Sequence, residues 1–124
     1  METKINVLIA DHQQSTRRGL KAMLQFSPLI NQIWEARDGE VAIQIIKDVK
    51  PDLVIVDALT PVIGGIEVTK WIRENQLSTK VIILTMYPFY EDKALAAGAD
   101  RYLLKGGGDS CIEEEISALF PREQ

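Results

Sequence analysis

Residues 52–57 read Asp-Leu-Val-Ile-Val-Asp, DLVIVD. Between its two acids the run from Leu53 to Val56 is apolar without alternation, and most of it is β-branched. A strand with one wet face alternates apolar and polar residues, whereas a strand apolar on both faces lies between two layers of helices, as in a parallel sheet. Two more runs have the same character, INVLIA at 5–10 and KVIIL at 80–84. Two weaker ones, IWEA at 33–36 and RYLL at 101–104, complete a set of five candidate strands.

The stretches between these runs have helical spacing. Ser15 or Thr16 is placed to cap a helix carrying Leu20, Met23 and Leu24, and Asp38 to cap one carrying Val41, Ala42, Ile45 and Ile46 that stops before Pro51. Ile66, Val68, Thr69, Trp71 and Ile72 mark a third helix. A fourth, near 89–97, ends at Gly98, and Ile112, Ile116, Leu119 and Phe120 stripe a fifth that stops at Pro121. Strand then helix, five times over, predicts a three-layer α/β domain with a doubly wound parallel sheet and right-handed crossovers. At 124 residues the chain fits one domain, 1–124, with a real core.

Bulk composition narrows the function. A formal net charge of −4 argues against gripping DNA or RNA through a basic surface. The single cysteine, Cys111, forms no internal disulfide and supplies no ligand cluster, which points to a reducing cytoplasm. The first apolar run is too short for a signal peptide or a membrane span.

In open α/β sheets the ligand site lies outside the carboxyl ends of the strands, so the residue that follows each run matters most. Those residues are Asp11, Asp57, Thr85 and Lys105. A lone strand-end aspartate is ordinarily a cap or a loop residue, but two carboxylates, a hydroxyl and an ammonium at one edge form a set suited to phosphate and a divalent cation. A carboxylate can attack a phosphoryl group to give an aspartyl phosphate. A hard cation such as Mg²⁺ offsets the repulsion among the anions, a lysine offsets the transferred charge, and a hydroxyl hydrogen-bonds a phosphoryl oxygen. A flavodoxin-type flavin site is disfavoured because Asp11 would repel the cofactor phosphate. A haloacid-dehalogenase-type phosphatase wants an acid two residues past its nucleophile, where this chain has Gln13 or Leu59.

The segments VLIAD (7–11), PDLVIVDALTPVIGGIEV (51–68), VIILTMY (81–87) and AAGADRYLLK (96–105) resemble the receiver domains of two-component response regulators, over nearly the whole chain. LTMY and GADRYLLK are most similar to receivers of LuxR/NarL-type transcription regulators. The resemblance implies a flavodoxin-like (βα)5 fold with strand order 2-1-3-4-5. It implies that Asp57 accepts a phosphoryl group from a histidine kinase, that Thr85 and Lys105 contact that group, and that Tyr102 is an aromatic switch; an ordinary half-buried strand tyrosine is the other reading of Tyr102. It further implies a metal held by Asp11, Asp57, the Leu59 carbonyl and the second residue of an acidic pair.

Here that pair reads Asp11-His12. Imidazole is a poor ligand for Mg²⁺ and suits transition metals better, so Mn²⁺ is the alternative ion. Sliding the alignment by one residue would put Ala10 in an acidic slot and reverse the strand's alternation, and the spacing from Asp11 to Arg17-Arg18-Gly19-Leu20 fits the unshifted register, which stands. Thr60 stands where methionine is usual, and Met86, where a small residue is typical, is expected to narrow access to Asp57. Gly106-Gly107-Gly108 is expected to make its loop mobile. Trp34 and Trp71 read as packing residues. Arg17 and Arg18 mark either a kinase-docking surface on the first helix or a solvated face, and residues 88–120 could pair with a second copy in a homodimer. The reading against a phosphoryl switch is a pseudo-receiver, a binding or dimerisation module with the same fold. Either way the domain is a signalling element rather than an enzyme, as a single-domain regulator or as part of a longer one.

Overall fold

Alternate residues of the central strands point to opposite faces of the sheet, and both faces are covered. The computed structural model describes residues 4–106 and 112–121. Its elements run β1 (Ile5–Ala10), α1 (Gln14–Leu24), β2 (Ile30–Ala36), α2 (Gly39–Val49), β3 (Leu53–Val56), α3 (Gly65–Glu74), β4 (Lys80–Thr85), a 3₁₀ turn (Pro88–Tyr90), α4 (Glu91–Ala97), β5 (Arg101–Leu104) and α5 (Ile112–Leu119). All pairings are parallel, in the order β2-β1-β3-β4-β5. The expected flavodoxin-like α/β fold and strand order are both present.

One face of the sheet presents Leu8, Val54, Val56, Val81 and Ile83 to Ala42 and Ile46 of α2, Val68 and Ile72 of α3, and Ala94 of α4. The other presents Val7, Ile9, Leu53, Ile55 and Ile82 to Leu20 and Leu24 of α1 and Ile112 and Ile116 of α5. This is why the runs in β1, β3 and β4 do not alternate: each side chain enters one of two cores. Trp34 and Trp71 pack, partly buried, against the first of these cores, as packing residues would.

Three local expectations are revised. β2 begins at Ile30, three residues before the apolar run that marked it, because Leu29 and Ile30 are buried while Asn31 and Gln32 are exposed on this edge strand. A register shift accompanies it, with Ile5 opposite Ile30 and Val7 opposite Ile33. α1 begins at Gln14, with Gln13 in the capping position and no side-chain cap. Ser15 and Thr16 therefore lie inside the first turn; the Asp11 carboxylate has already taken the Gln13 N–H, at 2.8 Å, and turned the chain into the helix. The fourth helical segment divides into the 3₁₀ turn and α4.

Asp38 caps α2 as read, accepting the Val41 N–H at 2.8 Å, and Gly98 ends α4 with φ +108°. Gly107, Gly108 and Cys111 lie outside the described residues. Among the described residues, no helix is long and apolar enough to cross a membrane.

Candidate functional site

Four strands deliver one polar group each to the same edge. The ladder hydrogen bonds run past the strand ends: Asp11 N–H donates to Ala36 (3.0 Å), Asp57 N–H to Ala10 (3.1 Å) and Lys105 N–H to Thr85 (2.8 Å). This holds the backbone of the site residues as firmly as the sheet itself. Asp11, Asp57 and Thr85 are buried, and the Lys105 side chain is only 12% exposed. The sheet thus brings together the four residues singled out by position.

Each carboxylate uses its two oxygens differently. Asp57 Oδ1 accepts from the Thr85 hydroxyl (3.1 Å) and the Leu59 N–H (2.9 Å), while Asp57 Oδ2 accepts from Lys105 Nζ (2.6 Å). Asp11 Oδ1 accepts from the Gln13 N–H, and Asp11 Oδ2 from Lys105 Nζ at 2.7 Å. The ammonium therefore bridges the two acids, leaving the trio with one net negative charge. Burial alone would lower the Lys105 pKa, but its hydrogen bonds and charge interactions with Asp11 and Asp57 hold it above the ordinary lysine value.

The loop after β3 is pressed against α3. A Cβ built on Gly65 would lie 2.3 Å from the Asp57 carbonyl oxygen, so only glycine lets the helix begin this close to the acid.

His12 stays outside the cluster. Its side chain is half exposed and its Nδ1 lies 3.8 Å from Asp11 Oδ1, beyond hydrogen-bond distance. Tyr102 is also apart: its ring packs, partly buried, against the core beneath α2, α3 and α4, and its hydroxyl donates to the Tyr87 carbonyl. Burial of the ring, with Glu91 and Asp57 nearby, pushes the phenol pKa above its ordinary value. Met86, expected to narrow access to Asp57, is 64% exposed just past β4.

Arg17 departs from the solvated-face reading. Its side chain is only 14% exposed; Nη1 donates to the Asp11 carbonyl at 2.6 Å and Nε to Glu35 at 3.2 Å. It ties the Asp11 backbone to β2, and of the two arginines only Arg18 is exposed on α1. Thr60 is the other residue undervalued from sequence. Its buried hydroxyl lies 2.9 Å from the Ile63 carbonyl and 3.3 Å from that of Asp57. Its place three residues after a strand-end acid was the available signal.

The donor set fits a magnesium-type ion. Mg²⁺ commonly takes one or two carboxylates and keeps several waters, and Asp11 and Asp57 supply those carboxylates. Among the described residues no group of three His, Cys, Asp or Glu side chains gathers as a fuller metal cage.

The family model for the response regulator receiver domain matches residues 7–117. The chain belongs to this receiver family. The receiver is 39% identical over 120 residues to the transcriptional regulatory protein LnrK of Bacillus subtilis, covering 93% of this chain and 53% of that one. It is 34% identical over 115 residues to the nitrate/nitrite response regulator NarL of Escherichia coli, covering 91% and 52%. The receiver thus spans about half the length of these curated relatives. Among solved structures, the response regulator TrrA of Thermotoga maritima, in complex with Mg²⁺ and BeF, superposes with a TM-score of 0.83 at 33% identity, covering 94% of this chain and 99% of that one. The fold and these relatives make this chain a receiver domain of two-component signalling.

Proposed function

We propose that Asp57 is the phosphoacceptor of this receiver and that a histidine kinase is the donor. One observation carries the reading: a single buried carboxylate is held by a hydroxyl, a backbone N–H and an ammonium, which are the groups a transferred phosphoryl needs. A carboxylate oxygen of Asp57 attacks phosphorus, the bond to the donor's leaving nitrogen breaks, and the leaving group takes a proton. Lys105 shifts from the free carboxylate to the new phosphoryl oxygens, and Thr85 donates its hydroxyl to one of them. The Leu59 N–H, aimed at Asp57 Oδ1, keeps the acid oriented.

Mg²⁺, or Mn²⁺ given His12, would be held by Asp11, Asp57 and the Leu59 carbonyl, and supplies positive charge against the crowded anions. His12 would add an imidazole ligand, which suits Mn²⁺ better than Mg²⁺. Thr85 and Tyr102 form the switch: once Thr85 turns to the phosphoryl, Tyr102 leaves the Tyr87 carbonyl and turns inward.

The domain, taken as 1–124, acts in the cytoplasm and passes its state to an output region or a partner, with no direct nucleic acid contact of its own. The exposed Phe89, Leu95 and Leu104 support pairing with a second copy through the faces within 88–120. Its chemistry is limited to its own phosphorylation and dephosphorylation.

Incubation with acetyl phosphate and Mg²⁺, read by intact mass, tests this. One phosphoryl group should add to the wild type and none to Asp57→Asn. No added mass with either Mg²⁺ or Mn²⁺ would turn the assignment to a pseudo-receiver, and labelled Asp57→Asn would move the acceptor elsewhere.

A further inference from the structure

The loop between Asp57 and α3 contains a backbone conformation that its own sequence disfavours. Val62 has φ +70°, and the Ile63 N–H donates back to the Pro61 carbonyl at 2.8 Å. A three-residue turn closed by this bond about a positive φ is the rare, strained hand of the γ-turn. A β-branched residue at its centre is an outlier. The Val62 side chain is 74% exposed, so burial does not compensate it. A strained turn of this kind persists only where its surroundings over-determine it.

The surroundings are two carbonyls and what holds them. The Pro61 carbonyl also accepts the Gly39 N–H, at 3.2 Å, from the start of α2. The Ile63 carbonyl accepts the Thr60 hydroxyl at 2.9 Å, and it is packed so closely on α2 that a Cβ on Gly39 would lie 1.9 Å from it. Thr60 is thus bonded across the turn, and its hydroxyl oxygen is also 3.3 Å from the Asp57 carbonyl. One residue earlier, the Leu59 N–H holds Asp57 Oδ1 at 2.9 Å.

We propose that Thr60 is a positioning residue: its hydroxyl clamps the strained Val62 turn shut and thereby holds the Leu59 peptide against the Asp57 carboxylate. The role in phosphorylation rests on Asp57 being the acceptor; the clamp itself does not. Without the hydroxyl, the partly buried Ile63 carbonyl loses its partner, the turn relaxes, and the relaxation travels two residues back to Leu59. Glycine at position 62 would adopt the positive φ without strain and make the clamp unnecessary.

The test compares Thr60→Val, Thr60→Ser and the double variant Thr60→Val/Val62→Gly with the wild type. Two readouts are taken: the rate of labelling by acetyl phosphate with Mg²⁺, and the Leu59 amide proton shift by NMR without phosphodonor. Thr60→Val should label about tenfold more slowly, with the Leu59 amide moving toward the shift of an unbonded N–H. Thr60→Ser should stay within about twofold of wild type, since it keeps the hydroxyl. The double variant should recover most of both readouts. The proposal is overturned by an unmoved Leu59 amide in Thr60→Val, by Thr60→Ser behaving like Thr60→Val, or by a double variant with no recovery. If the wild type does not label, the acceptor assignment fails, and the amide shifts alone decide the clamp.

Discussion

Lys105 Nζ lies 2.6 Å from Asp57 Oδ2 and so covers one of the two carboxylate oxygens of the proposed phosphoacceptor. The same ammonium reaches Asp11 Oδ2 at 2.7 Å. A lysine that bridges two buried acids offsets their repulsion, and under the proposed phosphorylation of Asp57 it gives up part of that bridge. On that proposal, rest state and product differ in which oxygens hold the Lys105 ammonium, which is a compact basis for a switch.

The bridge predicts a dependence on alkaline pH. The folded-state pKa of Lys105 lies above its unfolded value, so its contribution to stability is complete below about pH 10.4. As pH rises further, the unfolded chain loses the proton first, and the contribution disappears as pH passes the folded pKa. Tyr102, also raised, acts in the same direction: the unfolded phenol ionises first and draws the equilibrium toward unfolding. Urea midpoints measured across this range should fall for the wild type and fall less for Lys105→Met, with Tyr102→Phe removing a separate share. Equal slopes for wild type and Lys105→Met would mean that the bridge does not form in solution.

His12→Asp should tighten Mg²⁺ binding roughly tenfold or more, because carboxylate count tunes the affinity of oxygen sites. The expected geometry is favourable, since His12 adjoins Asp11 and is half exposed. Titration by calorimetry checks this, and an unchanged affinity would place position 12 outside the metal site.

Tyr102→Phe removes one neutral hydrogen bond to the Tyr87 carbonyl, at a solvent-exposed position. The cost should be about 0.5 kcal/mol, the low end for such bonds. The more informative readout is activation: beryllofluoride with Mg²⁺ should change the environment of Tyr102, followed by its ring resonances. A ring that does not respond would make Tyr102 an ordinary packing residue.

Arg73 ties α3 to the far end of the domain. Its guanidinium donates to the carbonyls of Gly98 (3.0 Å) and Thr79 (2.8 Å) and to Asp100 Oδ2 (2.8 Å), the oxygen that also accepts the Val81 N–H. The pair with Asp100 is partly exposed and is discounted for solvent screening. Arg73→Ala should still cost about 2 kcal/mol through its charged hydrogen bonds to the partly buried Gly98 and Thr79 carbonyls. Arg73→Lys should recover only part of this, because a compact ammonium cannot reproduce the planar, extended donor fork that reaches all three acceptors. Chemical denaturation separates the two, and labelling at Asp57 should continue in both.

Legibility from sequence varied with the kind of interaction. Asp38 was readable as a cap because its function is local, within three residues. Ser15 and Thr16 carried the same local signal and were misleading, since a carboxylate fixed by the sheet turned the chain first. The start of β2 was hidden because an edge strand exposes Asn31 and Gln32 and so loses its apolar pattern.

The sequence by itself determined the layers and the edge at which the chemistry sits. Runs apolar on both faces require helices on both sides, and the residue after each run must emerge at one end of a parallel sheet. Hence Asp11, Asp57, Thr85 and Lys105 could be named before any coordinates. Only the tertiary structure decided how these four share their hydrogen bonds. Lys105 stands 94 residues from Asp11 in the chain, yet their contact is set by strand order and by the length of one flexible side chain. The same holds for Arg17, which looked like a surface charge until Glu35 and the Asp11 carbonyl were found beside it. Pattern fixes which face a residue joins; partners across the sheet follow from register, which no single segment encodes.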